Sequence, residues 1–202
     1  MINGLTDREH PCQALADLFT LAEKWGDVTG KTLAFVGDGN NVCASLVHAA
    51  ALSGMSFVAV TPASHRPYGL AAEDFAKMTV SSSAQYLWTD SLEGLKGADA
   101  VYTDTWVSMG QEEEAKERLA VFAPYQVTPE VMASTGKSSY FMQCLPAHRN
   151  HEVTDAVMDS SLSLVFEQAE NRLHVQKTLL LFLLAAREVE RYLHLDRWAG
   201  WA

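Results

Sequence analysis

Short apolar runs alternate along this chain with segments whose apolar residues recur every three or four positions. Residues 10–25 are the first periodic segment: Leu15, Leu18, Phe19, Ala22 and Trp25 form one stripe, and Pro11 suits the opening turn. Residues 32–36 are the first apolar run, read as a strand. Gly37-Asp38-Gly39-Asn40-Asn41 turns the chain, and a helix extends to residue 53. Further strands are predicted at residues 57–60, 86–88, 98–103 and 139–142, with a sixth at 162–166. Helices are predicted at residues 71–78 and 112–122, and a long one at 168–193. The alternation predicts an α/β fold, a doubly wound, mostly parallel sheet with helices on both faces. Such sheets bind ligands at the carboxyl ends of strands, where the strand order reverses. The polar ends of strands one, four and five should therefore bring Asn40, Asn41, Asp104, Ser108 and Cys144 to one cleft.

Composition narrows the partners. The formal charge of −10 disfavours nucleic acid, whose phosphates need a basic face. The most apolar stretch, residues 178–186, is too short to span a bilayer, so no membrane association is expected. The 202 residues suffice for one sizeable α/β domain, and no linker or repeat divides them. Cys12, Cys43 and Cys144 are odd in number and far apart, without metal spacing. They predict reduced thiols in a cytoplasmic or similarly reducing compartment, with the mitochondrial matrix left open.

Several motifs carry candidate chemistry. Asp104-Thr105-Trp106-Val107-Ser108-Met109-Gly110 leaves the fourth strand as a carboxylate, a hydroxyl and a glycine, a set that suits the α-end of a free amino acid. The glycine turn at residues 37–41 lacks the third glycine of a dinucleotide fingerprint, and Val60-Thr61-Pro62 supplies no ribose-binding acid. Both failures argue against a nicotinamide cofactor. Cys144 precedes Leu145-Pro146 at a strand exit, where backbone carbonyls become free acceptors. His10 and Gln13 sit three residues apart at the start of the first helix, and Arg172 follows Glu170-Asn171 near the start of the last. The acidic run at residues 112–114 is explained by the helix dipole alone.

Taken in order, His10-Pro11-Cys12-Gln13, Gly37-Asp38-Gly39-Asn40-Asn41, the Asp104–Gln111 run, Cys144-Leu145-Pro146 and Glu170-Asn171-Arg172 resemble the aspartate/ornithine carbamoyltransferases, and within them the ornithine branch. The resemblance covers essentially the whole chain and implies the second, amino-acid-binding domain over residues 1–202, with residues 8–26 and 168–194 as interdomain helices. It implies transfer of a carbamoyl group from carbamoyl phosphate to L-ornithine, giving L-citrulline and phosphate, with no cofactor and no metal. Asn40, Asn41 and the backbone at Met109 would hold the ornithine carboxylate, and Asp104 and Ser108 its ammonium. Cys144 would lie near the δ-amine. His10, Gln13 and Arg172, with the carbonyls of Cys144 and Leu145, would orient the carbamoyl group. Catalytic roles would fall to Cys144, Asp104, Arg172 and His10.

Two departures stand out. Gln143 occupies the place of the histidine usual in the family's His-Cys-Leu-Pro loop. The family's phosphate-gripping Ser-Thr-Arg-Thr-Arg sequence does not occur, so the carbamoyl-phosphate-binding domain is expected to be absent and the lone chain inactive or nearly so. The alternative is a non-catalytic amino-acid-binding or assembly module. The last helix is apolar nearly all round and expects cover on more than one face, for which a second copy of the chain is the expected partner.

Overall fold

The computed structural model describes residues 2–68, 72–81, 83–107 and 112–185. In chain order the named elements are α1 (Pro11–Trp25), β1 (Thr32–Val36), α2 (Asn41–Ser53), β2 (Ser56–Val60), α3 (Ala72–Met78) and β3 (Tyr86–Thr89). They continue with β4 (Ala100–Thr103), α4 (Ala115–Phe122), α5 (Pro129–Ala133), β5 (Tyr140–Gln143), α6 (Asp155–Met158) and α7 (Val165–Leu184). The strands form one sheet in the order β3-β2-β1-β4-β5, and every pairing is parallel. The chain winds outward from β1 to β3, then returns to place β4 on the other side of β1. The strand order therefore reverses between β1 and β4, and in open α/β sheets the carboxyl ends at such a reversal are where ligands bind.

Side-chain alternation along each strand feeds two cores. Leu33, Phe35, Phe57, Ala59, Tyr102 and Met142 point to the face packed with α2 and α3 residues such as Leu46, Val47 and Phe75. Ala34, Val36, Val101 and Phe141 point to the opposite face, where Leu95, Val127, Val153 and Val157 cover them. A parallel sheet needs cover on both faces, and the near-continuous apolar runs of β1 and β4 reflect it. At the switch point Thr103 Oγ1 donates to the Val36 carbonyl at 2.7 Å, tying the two strand ends together.

Three sequence expectations need correction. Residues 162–166 do not form a sixth strand: Ser163 makes a single bridge to Phe141, and the chain turns helical at Val165. Leu164 N–H donates to the Phe141 carbonyl at 2.9 Å, a single-residue pairing that the apolar run could not distinguish from a full strand. The last helix accordingly starts three residues before the expected Gln168, and its predicted end at residue 193 lies outside the described residues. The helix expected over residues 112–122 opens with a 3₁₀ turn, Glu112–Glu114, before α4 begins.

The apolar stripe of α1 divides between two surfaces: Leu15 and Phe19 are each 42% exposed, while Leu18 and Trp25 pack against the core beside the buried Ala14 and Leu21. Gln13, Asp17 and Thr20 are buried as well. The buried face meets α7 through polar groups, with Gln168 on Asp17 and Asn171 Nδ2 on Thr20 Oγ1 at 3.0 Å. Leu15 and Phe19 line an open apolar groove of about 310 Å³ with Val175, Leu179 and Phe182 of α7. Leu180 to Leu184 are also exposed, Leu184 at 76%.

Candidate functional site

The exits of β1, β4 and β5 meet at Asp104. Asn40 caps α2: its Oδ1 accepts from the N–H groups of Val42 (3.1 Å) and Cys43 (3.2 Å), as expected of an asparagine N-cap. Its Nδ2 is thereby turned outward and donates to Asp104 Oδ2 at 2.7 Å. Asp104 Oδ1 accepts from its neighbour Thr105 N–H at 2.7 Å and from the Cys144 thiol at 3.0 Å. Burial pushes the Cys144 thiol well above its ordinary value, and the Asp104 carboxylate pushes it further. Cys144 is therefore a neutral thiol at physiological pH, a donor and not a nucleophile in this arrangement. Asn41 is aimed elsewhere: its Nδ2 donates to the Thr6 carbonyl at 2.7 Å, pinning the segment that precedes α1. Ser108 and Met109 lie outside the described residues.

A second group forms where α1 starts beside α7. His10 occupies the N-cap position of α1, and its backbone N–H donates to Ser45 Oγ at 2.7 Å. Its Nδ1 lies 3.1 Å from the Gly4 carbonyl. Burial and the Arg172 charge lower its pKa, so the ring is neutral. The Gly4 carbonyl assigns the proton to Nδ1 and leaves Nε2 as an acceptor. Arg172 Nη1 donates to Gln13 Oε1. Arg172 is thus the one positive group of the pair, and His10 offers a lone pair to an N–H.

The loop after β5 is held from beneath. Gln143 is fully buried, and its Nε2 donates to the Pro146 carbonyl (3.1 Å) and to Glu152 Oε1 (3.3 Å). Its Oε1 accepts from Leu145 N–H. Leu145 takes a positive φ of 50°, uncommon for a residue with a Cβ, and the Gln143 clamp over-determines that turn. Gln143 here organises the loop that carries Cys144, and its side-chain partners belong to that loop or to Glu152.

These side chains come from the strand ends on either side of the β1/β4 reversal and from two helices beside them. Residues 29–183 match the family model for the aspartate/ornithine carbamoyltransferase Asp/Orn-binding domain. The chain belongs to the aspartate/ornithine carbamoyltransferase family. Among curated relatives it is 50% identical to the ornithine carbamoyltransferase of Methanospirillum hungatei over 186 residues, covering 92% of this chain and 60% of that protein. It is 49% identical to that of Archaeoglobus fulgidus over 193 residues, covering 95% and 61%. Among solved structures, ornithine carbamoyltransferase from Pyrococcus furiosus superposes with a TM-score of 0.82 at 44% identity, covering 88% of this chain and 57% of that one. The chain thus spans about 60% of the length of the curated relatives it matches.

Sequence reading missed two supports of this candidate site. Asp38, in the β1 exit turn, pairs with Arg118 Nη2 of α4, and Arg118 Nε donates to the Trp106 carbonyl at 2.6 Å. One buried arginine therefore ties the loop bearing Asn40 to the loop bearing Asp104. Gly39 admits a close crossing by the chain after β2: a Cβ there would stand 2.3 Å from Pro67 N and 2.6 Å from the His65 carbonyl oxygen. The second support is Asp17, one turn after Gln13 on the buried face of α1. A polar residue at that spacing from Gln13, on a helix otherwise rich in apolar residues, was the available signal.

Proposed function

We propose that this chain is the ornithine-binding part of an ornithine carbamoyltransferase, and that it contributes to the transfer of a carbamoyl group from carbamoyl phosphate to the δ-amine of L-ornithine. The observation that carries this reading is the Asp104 carboxylate held between Asn40 and Cys144, each from a different strand exit. An acceptor fixed on two sides, 7% exposed and beside the β1/β4 reversal, suits a ligand ammonium. Asp104 with Ser108 would take the α-ammonium; Asn40 and the backbone at Met109 would take the carboxylate, which Asn41 would reach only by giving up its hydrogen bond to the Thr6 carbonyl. Cys144 would then lie toward the δ-amine.

An alkyl amine has a pKa of about 10.4 by analogy with lysine, so it must lose a proton before its lone pair attacks the carbamoyl carbon. The C–N bond forms, the bond from carbon to the phosphate oxygen breaks, and phosphate leaves with that electron pair and takes up the proton that the attacking nitrogen releases. Arg172 would meet the charge that develops on the carbonyl oxygen. His10 Nε2 and the carbonyls of Cys144 and Leu145 would accept from the carbamoyl N–H groups, with Gln13 holding Arg172 in line. Carbamoyl phosphate would be gripped only together with a complementary phosphate-binding domain. The exposed part of the apolar stripe of α1 and the exposed end of α7 support association with another copy of this chain when no such domain covers them.

Calorimetry tests the reading directly. L-Ornithine should bind with 1:1 stoichiometry, L-aspartate should not, and Asp104→Ala should abolish ornithine binding while the chain stays folded. Equal binding of both amino acids, or none of ornithine, would overturn it. Mixing the chain with a separately produced phosphate-binding domain should yield citrulline. Ornithine binding without any citrulline from a folded mixture would favour the non-catalytic module.

A further inference from the structure

Asp17 lies behind the groups assigned to substrate, contacts one of them, Gln13, and underlies both halves of the site. It is fully buried between α1, α7 and β4. Its Oδ1 accepts from Gln13 Nε2 and from Gln168 Nε2, both at 2.7 Å. Each glutamine amide has two unlike ends, and the end not facing Asp17 faces the site. Gln13 Oε1 receives Arg172. Gln168 Oε1 receives the backbone N–H of Gln143 at 3.1 Å, immediately before Cys144. Gln168 Nε2 also donates to the Tyr102 hydroxyl at 2.9 Å, which lies beside both the Asp17 carboxyl and the Cys144 thiol.

We propose that Asp17 is a positioning residue for the carbamoyl end of the site: as one shared acceptor it fixes the polarity of two glutamine amides, aiming Gln13 Oε1 at Arg172 and Gln168 Oε1 at the loop that carries Cys144. Without an acceptor at this point, either amide turns its N–H₂ end toward the site and presents a donor to a donor. The arrangement spans α1, α7 and β5, so one side chain keeps the arginine and the thiol loop in a common frame. Burial also pushes the Asp17 carboxyl up to about 7, against the lowering effect of the amide donors, Tyr102 and Arg172. Among the described residues its Oδ2 has no partner, so no donor holds that oxygen in the charged form. Oδ1 accepts from both glutamines in either protonation state, so the positioning does not depend on the charge.

This inference rests on the proposed function only in its ligand arm. In that arm, L-citrulline and L-ornithine are titrated separately, because the two differ only in the carbamoyl group. Asp17→Leu should weaken citrulline roughly tenfold, the scale of one lost hydrogen bond to a charged group, and leave ornithine within about threefold. Asp17→Asn retains an acceptor oxygen and should restore the citrulline-to-ornithine ratio. Equal weakening of both ligands by Asp17→Leu, as from general loosening, would overturn the inference, as would an altered ratio in Asp17→Asn.

The second arm needs no ligand. Amide hydrogen exchange by NMR should show the Gln143 backbone N–H protected in the wild-type chain and in Asp17→Asn. Gln168→Met removes the oxygen itself and should deprotect Gln143 while its β5 neighbours Phe141 and Met142 stay protected. Unchanged Gln143 exchange in Gln168→Met, or its deprotection in Asp17→Asn, would refute the exit-loop branch even if Asp17→Leu does not fold. Absence of ornithine binding in the wild-type chain would count against the proposed function alone and leave this arm decisive.

Discussion

Replacing Arg118 by methionine should damage the site without touching a residue assigned to substrate. The arginine is 6% exposed, and it spans from the Asp38 carboxylate to the Trp106 carbonyl. Methionine fills much the same volume against Phe122 but carries no donor. Asp38, whose side chain is 12% exposed, is then left without its arginine, and the Trp106 carbonyl loses its donor. Breaking one member of a buried pair costs about 3–5 kcal/mol, against a typical total stability of about 5–15 kcal/mol. Burial already raises the Asp38 pKa, and Arg118 opposes that rise. Removing the cation raises it further, so the native carboxyl takes up a proton at a pH where the unfolded one has released it. Such a group favours the fold at low pH and loses that contribution as pH rises through its native pKa. The penalty of Arg118→Met should therefore be smaller at pH 5 than at pH 8. Urea unfolding at both pH values, read as a change in midpoint at constant slope, measures it. Asp38→Asn combined with Arg118→Met should recover part of the loss, because no charge is stranded. A cost below about 1 kcal/mol at pH 8, a penalty that does not vary with pH, or a double variant as unstable as the two singles summed would refute the reasoning. In the folded fraction of Arg118→Met the Asn40 and Asp104 loops are no longer tied, and ornithine affinity should fall.

Other perturbations test separate links. Gly39→Ala pushes a methyl into the backbone at His65–Pro67 and should lower stability by about 1–3 kcal/mol, seen as a depressed melting temperature. Asp17→Asn should gain stability relative to wild type as pH rises. With the native carboxyl at about 7 against 3.8, the wild-type contribution is full below pH 4 and lost through pH 7. The difference between the two proteins should grow by up to about 4 kcal/mol between pH 4 and pH 8, and a flat difference by thermal unfolding would count against it. Phe19→Ser with Phe182→Ser should convert a self-associated chain to monomer by light scattering. These are exposed apolar groups, each worth about 1.5–3 kcal/mol when covered, and a wild-type chain already monomeric at micromolar concentration would rule the association out.

The sheet was legible because its strands are short, apolar and separated by turn residues, and because a parallel strand buried on both faces leaves a continuous run of apolar letters. The meeting of the β1, β4 and β5 exits followed from that order alone, and the Asn40–Asp104–Cys144 cluster is where it should be. On α1 the stripe was legible but its division was not: Leu18 and Trp25 pack on the core with Ala14 and Leu21, while Leu15 and Phe19 face the groove with α7. Periodicity reports which residues avoid water, not which surface covers them. The buried polar residues Gln13, Asp17 and Thr20 carry no such signal, because hydrogen-bond satisfaction has no period. It depends on Gln168 and Arg172 arriving about 150 residues later, and only the folded chain shows that Asp17 Oδ1 has two donors waiting for it. The same holds for Asp38, which reads as a turn residue until Arg118 is brought against it from a helix 80 positions away. Apolar order along the chain thus located the strand exits. The groups that aim the side chains there are long-range polar pairs, and those pairs are what the proposed substitutions at positions 17 and 118 take apart.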